Sequence, residues 1–292
     1  MTSGNNSKNP GMSSIIRKMN KVIFEVKHVE VTGDLFKELC ESMTTGKSTT
    51  LLSYSDARFL RVTKAMRRVL DKWQAIEAWY DERASKATRE NSTPPVFPLA
   101  GEFTTLTQLM SILQSLADFK RSCQAEMPTQ VENLMILYSI RLNDLDLEKP
   151  IRHYLSTRKK PIWIQPSDLT PIASTTRRLL QEALDKRFFI RYYDETKMAT
   201  TSYVFETQQK LHPVFKSPRH NLNAVILKVC QSHGDSGRVA CEKRDKVHQR
   251  IRDQLRSLIE RVSEPRDMRD TMPSSTPAYC GVAPHRFFGR VY

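Results

Sequence analysis

Apolar residues recur every three or four positions along most of this chain, a period that predicts amphipathic helices and an all-α fold. From Ser13, the run Ile15, Ile16, Met19, Val22, Ile23 and Val26 marks a first helix. Thr32 then reads as an N-cap for Asp34 to Met43, with Leu35, Phe36 and Leu39 on one face, while Val29-Glu30-Val31 also suits a short strand. The clearest stripe comes after Ser55-Asp56 and runs to about Arg83, with Phe59, Val62, Met66, Val69, Trp73, Ile76 and Tyr80 facing a core.

Prolines punctuate the middle of the chain. Pro94, Pro95 and Pro98 lie among Ser, Thr and Asn, so the stretch from Asn91 to Pro98 is expected to be a loop. Phe103 to Cys123 resumes as a helix, and Thr129 is placed to cap the next, which carries Val131, Leu134, Met135, Leu137, Tyr138 and Leu142. Ser156 to Pro166 reads as a second loop. Thr170-Pro171 is a helix start, N-cap then proline in the first turn. Its helix is expected to turn Ile172, Leu179, Leu180, Ala183, Leu184 and Phe188 inward and Arg177, Arg178, Lys186 and Arg187 outward. Leu222 to Cys230 suggests another helix and Gly234 to Gly237 a turn. Cys241 to Val262 suggests a last helix that buries Val247, Ile251, Leu255, Leu258 and Val262 and exposes Lys246, Arg250, Arg252 and Arg256. The organisation expected is a disordered lead over 1–12, a helical segment over 13–55, a multi-helix domain over 56–262 and a disordered tail over 263–292.

Charge adds a direction to this scaffold. The chain carries a formal net charge of +14 and a pI near 9.6, a bias that favours an anionic partner, with DNA first among them. Arg61, Lys64, Arg68 and Lys72 recur on one helix face, with Arg58 and Arg67 alongside. From Arg61 to Lys72 the helical rise makes this a basic ridge about 16 Å long. Such a ridge suits phosphate contacts, and equally a solvated charged face. Arg158, Lys159 and Lys160 sit close to Trp163, a pattern that grips single strands by charge and stacking, or else belongs to a loop whose Trp folds back on the core.

Other chemistry fails on spacing. Mean hydropathy of −0.51 and the lack of an apolar run of about eighteen residues argue against a membrane span, and the polar start from Met1 to Pro10 is no signal peptide. The five cysteines, Cys40, Cys123, Cys230, Cys241 and Cys280, are odd in number and scattered, which fits a reducing compartment, the nucleus or cytoplasm. Thr45-Gly46-Lys47-Ser48-Thr49 imitates the end of a phosphate-binding loop, but Glu41 stands where its first glycine belongs. Cys230, His233, Cys241 and His248 are four potential zinc ligands at unsuitable spacing. No catalytic residue, cofactor, metal or small-molecule ligand is expected.

Four segments resemble a known family in the same order. Leu211-His212-Pro213-Val214-Phe215-Lys216 is similar to the Leu-Asp-Pro-Arg-Phe-Lys element that closes the helical insertion domain of hAT-superfamily DNA transposases, with Leu211, Pro213, Phe215 and Lys216 in agreement. Ser55 to Leu60 occupies the place of the family's Thr-Arg-Trp-Asn-Ser, keeping Arg58 and replacing the Trp by Phe59, and leads into Arg67 to Ile76, which looks like the first insertion helix. Met110 to Gln124, Pro128-Thr129 and Val131 to Leu142 resemble the family's long helix, break and next helix. Leu184 to Tyr193, with Lys186-Arg187-Phe188-Phe189 and Tyr192-Tyr193, resembles the segment before the closing element.

The resemblance spans roughly Met12 to Leu258 and implies an insertion-like helical domain, with a small remnant of a ribonuclease-H-like core on its N-terminal side. The family's three metal-holding acids lie outside the matched region. A domesticated, non-catalytic nuclear protein that binds DNA weakly through basic helix faces is therefore expected, or a helical interaction module that pairs with a related transposase-like protein. Asp and Arg of the closing element are replaced by His212 and Val214, while Pro213 and Phe215, which would serve packing, remain.

Overall fold

The computed structural model describes residues 8–28, 30–43, 51, 59–124, 130–157, 159–215 and 221–263. Among these, helix succeeds helix with one two-stranded interruption. Helix α1 (Pro10–His28) starts inside the expected disordered lead, because Asn9 Oδ1 accepts the Met12 N–H at 3.0 Å as an N-cap. The Asn9 amide also donates to Thr176 Oγ1 at 2.8 Å, which fastens this helix start to a later helix. Gly11 permits the same approach, since a Cβ there would sit 2.9 Å from Ile172 Cγ1. Helix α2 (Glu30–Met43) begins before Thr32, so the expected cap lies within the helix and no strand forms at Glu30-Val31. No strand is found among the described residues before Ile151, so the described N-terminal segment is helical where a ribonuclease-H-like remnant was expected. Ile15, Met19, Val22 and Val26 of α1 lie in one hydrophobic cluster with Phe36 and Cys40 of α2. Met1 to Ser7, the Thr45 to Thr49 segment and the tail from Glu264 lie outside the described residues.

The long stripe forms two helices, α3 (Phe59–Asp71) and α4 (Trp73–Arg89). Val62, Met66, Val69, Trp73, Ile76 and Tyr80 are buried as the periodicity requires. At the junction Lys72 leaves helical geometry (φ −112°, ψ 16°) and its N–H is shared between the Arg68 and Val69 carbonyls at 3.2 and 3.3 Å. After α4, Asn91 takes a left-handed φ of 52°, a conformation Asn tolerates, and the chain leaves through the proline loop. Helix α5 (Phe103–Cys123) packs along α3, and α6 (Gln130–Ser139) packs on α5.

A hairpin follows α6, in which β1 (Ile151–Arg152) pairs antiparallel with β2 (Trp163–Ile164), Ile151 opposite Ile164 and Arg152 opposite Trp163, so the expected loop from Ser156 to Pro166 holds its connection and its second strand. Helix α7 (Pro171–Leu184) starts as expected, with Thr170 Oγ1 accepting the Ala173 N–H. Short helices α8 (Ile190–Tyr193) and α9 (Glu195–Thr200) lead to α10 (Val204–Leu211), then α11 (Asn221–Ser232) and α12 (Gly237–Ser263). Helix α10 packs on α6 and α12, and α11 packs against α12.

Two π-helical turns alter the register that a regular helix would have. Ile140–Asp144 continues α6, with Leu145 N–H reaching back to the Ile140 carbonyl at 2.9 Å, and Asp185–Phe189 continues α7. Each extra residue rotates the subsequent residues by about 100° relative to a regular helix. Arg141 and Asp185, one from each turn, are buried, with side-chain exposures of 0% and 1%. They form a bidentate pair: Arg141 Nε donates to Asp185 Oδ1 at 2.6 Å and Nη2 to Oδ2 at 3.0 Å. The extra residue in the second turn buries Phe189 and exposes Phe188, which was expected to face inward; Ala183, expected inward as well, is exposed.

Arg177, expected outside, is also buried. Its guanidinium donates to the Asp144 carbonyl at 2.9 Å and the Lys149 carbonyl at 2.8 Å, closing the chain that leaves the first π turn. Beside it a second buried network joins α6, α8 and α10. Tyr192 donates to Glu206 Oε1 at 2.5 Å, the Tyr138 hydroxyl lies 2.7 Å from that of Tyr192, and Arg191 Nη2 pairs with Glu206 at 2.7 Å. Burial and the Glu206 charge push both phenols well above their ordinary pKa. Among the described residues no helix is long and apolar enough to cross a membrane.

Candidate nucleic-acid interface

Exposure along α3 has its own period. Arg61, Lys64 and Arg67 face solvent, Arg68 is half-buried, and Val62, Ala65, Met66 and Val69 fill the positions between. The ridge is therefore shorter than expected, because Lys72 at the helix junction is 3% exposed and turned toward α2, where its charge opposes the burial-driven rise of the Cys40 thiol pKa. From the last residue of α3 onward the solvent face becomes acidic and neutral, with Asp71, Gln74 and Glu77. Arg58 lies outside the described residues.

Across from this face runs α5, and the two helices enclose a groove of about 220 Å³. Its floor is Leu60, Met110 and Ala117, and its rims carry Lys64 and Arg67 on one side and Arg121 on the other. Arg67 donates to Gln114 Oε1, and the Gln114 amide donates to both oxygens of Asp118 at 2.8 Å. Arg121 pairs with Asp118. Arg67 and Arg121 are thus held by a rail of polar side chains along α5, which lowers the ordering cost of contacting an external anion. Gln114, Asp118 and Arg121 were not singled out from the sequence, although steps of four and three place them on one helix face.

The β1–β2 hairpin stands beside the same groove. Tyr154 N–H donates to Ser111 Oγ of α5 at 3.0 Å. The Tyr154 phenol, whose pKa is raised chiefly by burial, also lies within reach of the Asp71 and Arg67 charges. The hairpin tip is fixed by His153 N–H to the Ile162 carbonyl at 2.9 Å and Ile162 N–H to Ser156 Oγ at 2.9 Å. Lys159 and Lys160 are exposed on it, and Arg158 is outside the described residues. Trp163 is 55% exposed, so the reading in which it folds back on the core is not what forms. Ile164, the next residue, is the one packed against the core.

The structure therefore brings Lys64 and Arg67 together with Arg121 across the groove, leaves Arg61 on the same exposed face of α3 and sets the hairpin beside them, while Lys72 is excluded by burial. The family-like positions are distributed differently. Phe59 begins α3, whereas Leu211 and Pro213 are exposed at the end of α10, so Pro213 does not serve the packing expected of it. Phe215 is half-buried and packs on His212 with ring centroids 4.8 Å apart, and Lys216 lies outside the described residues.

Metal chemistry finds no support in the Cys230, His233, Cys241 and His248 series. Cys230 is buried with its Sγ donating to the Tyr192 carbonyl, His233 stacks on Tyr193 at 3.7 Å between centroids, and His248 bonds Asn223. Among the described residues no group of three His, Cys, Asp or Glu side chains could hold a metal ion. No family model, no characterised protein and no solved structure matches this chain.

Proposed function

We propose that this chain is a non-catalytic, DNA-binding helical domain of hAT-transposase descent that acts in the nucleus, contacting duplex phosphates through the α3–α5 groove. The observation that carries the reading is a set of cations: Lys64 and Arg67 on one rim of that groove, Arg61 on the same exposed face of α3, and Arg121 opposite, beside the carboxylate of Asp118. A step of three residues rises about 4.5 Å along a helix, comparable with the ~3.4 Å of duplex axis per phosphate on one strand. Neighbouring cations on the face thus address neighbouring phosphates. Contacts of this kind go to phosphates and carry no sequence information, so affinity is expected to be indifferent to sequence. The hairpin with Lys159, Lys160 and Trp163 extends the surface with a stacking element for unpaired bases.

The test is fluorescence anisotropy of the full chain with random duplex DNA over a salt series. Binding at low salt, with log affinity falling against log salt at a slope of roughly −3 to −4, is expected for about four phosphate contacts. Absence of binding at low salt ends the proposal.

A second reading, a helical module that pairs with a related protein, is favoured by the end of α12. Leu258, Ile259 and Val262 are exposed there, Val262 by 85%, and continue the line of Val247, Ile251 and Leu255 beyond the body of the protein. Burial of that face was expected from its period, and no described helix covers it. Light scattering distinguishes the two: a concentration-dependent rise in mass that Val262→Glu abolishes supports the module, and a strict monomer removes it.

A further inference from the structure

A second concentration of positive charge lies on another part of the molecule, where α10 meets α12. Arg244, His248 and Arg252 are spaced four residues apart, which aligns them on one face of α12, and Lys210 approaches them from the end of α10. We propose that these four residues form a docking point for a phosphate group, which the imidazolium form of His248 completes.

The geometry is one of uncompensated charge. Lys210 is half-buried and has no hydrogen bond or ion pair among the described residues, and burial first, then the Arg252 charge, press its ammonium below its ordinary pKa. Among the described residues Arg252 donates only to the neutral Gln249, with Nη2 to Oε1 at 2.7 Å. Arg244 pairs with Asp245 at 2.8 Å, the one carboxylate among the described residues that acts on the cluster. His248 presents a half-buried ring whose Nε2 is bonded to Asn223 of α11, a neutral partner. Burial first, then Lys210, Arg252 and Arg244, press the ring toward its neutral form, and Asp245 alone opposes them. Three cations against one carboxylate leave an excess of two before the ring is protonated. A half-buried ammonium without a counter-charge is a costly arrangement that a bound oxyanion relieves.

Phosphate binding and protonation of His248 are then linked: an anion placed among these groups cancels the repulsion and draws a proton onto the ring, so affinity rises as pH falls. This inference stands independently of the α3–α5 groove, because none of its residues is shared with that surface.

The experiment tracks the His248 ring by NMR through a pH titration in chloride and in inorganic phosphate at equal ionic strength. Phosphate is expected to raise the midpoint of His248 by about one pH unit over its value in chloride. Lys210→Gln and Arg252→Gln, made singly so that either folded variant suffices, should raise the midpoint in chloride and lose the phosphate-dependent rise. A third arm replaces phosphate by a short duplex in the Arg61→Ala/Lys64→Ala/Arg67→Ala background. A rise with the duplex identifies nucleic-acid phosphate as the source, and a rise with inorganic phosphate alone identifies a free anion. A midpoint equal in chloride, phosphate and duplex overturns the proposal even if the unmodified chain binds DNA.

Discussion

Arginines on α3 and arginines at or near the π turns carry the same charge, yet they meet opposite fates. On α3, Arg61 and Arg67 face solvent and Arg67 leans on the uncharged Gln114. At the π turns, Arg141 and Arg177 are fully enclosed, one by the Asp185 carboxylate and the other by backbone carbonyls. The difference lies in whether the charge is enclosed and held by internal acceptors. Arg141 has a bidentate acid and Ser232 Oγ at 2.8 Å, so little is left for an outside partner, whereas the α3 face keeps its charge at the surface. Composition counts all of these residues equally toward the basic excess, but only the first group presents its charge to solvent.

This contrast is most sharply broken by deleting one side of the buried pair. Asp185→Ala leaves Arg141 enclosed without its carboxylate and is expected to lower unfolding free energy by about 3–5 kcal/mol in urea denaturation. Arg141→Met/Asp185→Leu together should cost far less than the sum of the single changes, and a strictly additive result would deny the coupling.

On the other region the expectation inverts. Arg61→Ala/Lys64→Ala/Arg67→Ala should leave unfolding free energy within about 0.5 kcal/mol per site. It should weaken binding to random duplex DNA on the order of a hundredfold at low salt, because three phosphate contacts are lost. Trp163→Ala comes next in size: roughly tenfold weaker binding to single-stranded DNA in anisotropy, with duplex binding nearly unchanged, since stacking needs an open base.

The smallest effect concerns pH. The folded pKa of His248 lies below its ordinary value, so between the two the unfolded chain holds more protons than the folded one. Its contribution to stability is present above the ordinary value near 6.5 and is lost as pH falls through the folded one. In chloride, denaturation midpoints should therefore decline on acidification through this window, and His248→Gln should remove part of that decline. A decline of equal size in the variant assigns it to other groups.

How much of this was legible in the chain depends on whether a regular helix was the right ruler. The buried positions of α3 and α4, the start of α7 at Thr170-Pro171 and the span of α5 come directly from period and capping chemistry. Phe188, Arg177 and the end of α12 did not. A π turn has no compositional mark and rotates later residues away from the predicted face. The α12 stripe keeps its period past the point where neighbouring helices end, so apolar spacing alone overstated its burial. Lys72 failed because a helix junction, invisible to a count of threes and fours, turned it inward. The groove was half legible: Arg61, Lys64 and Arg67 come from the α3 pattern, but their partner face on α5 required knowing which helices pack together.

The central claim is that exposed charge on α3, and not the basic excess of the whole chain, engages DNA. Its most direct test compares salt dependence for the native chain and for Arg61→Ala/Lys64→Ala/Arg67→Ala on the same random duplex. The account predicts that the slope of log affinity against log salt becomes shallower by roughly 2.7, or 0.9 for each lost contact. Equal slopes for the two proteins would contradict it.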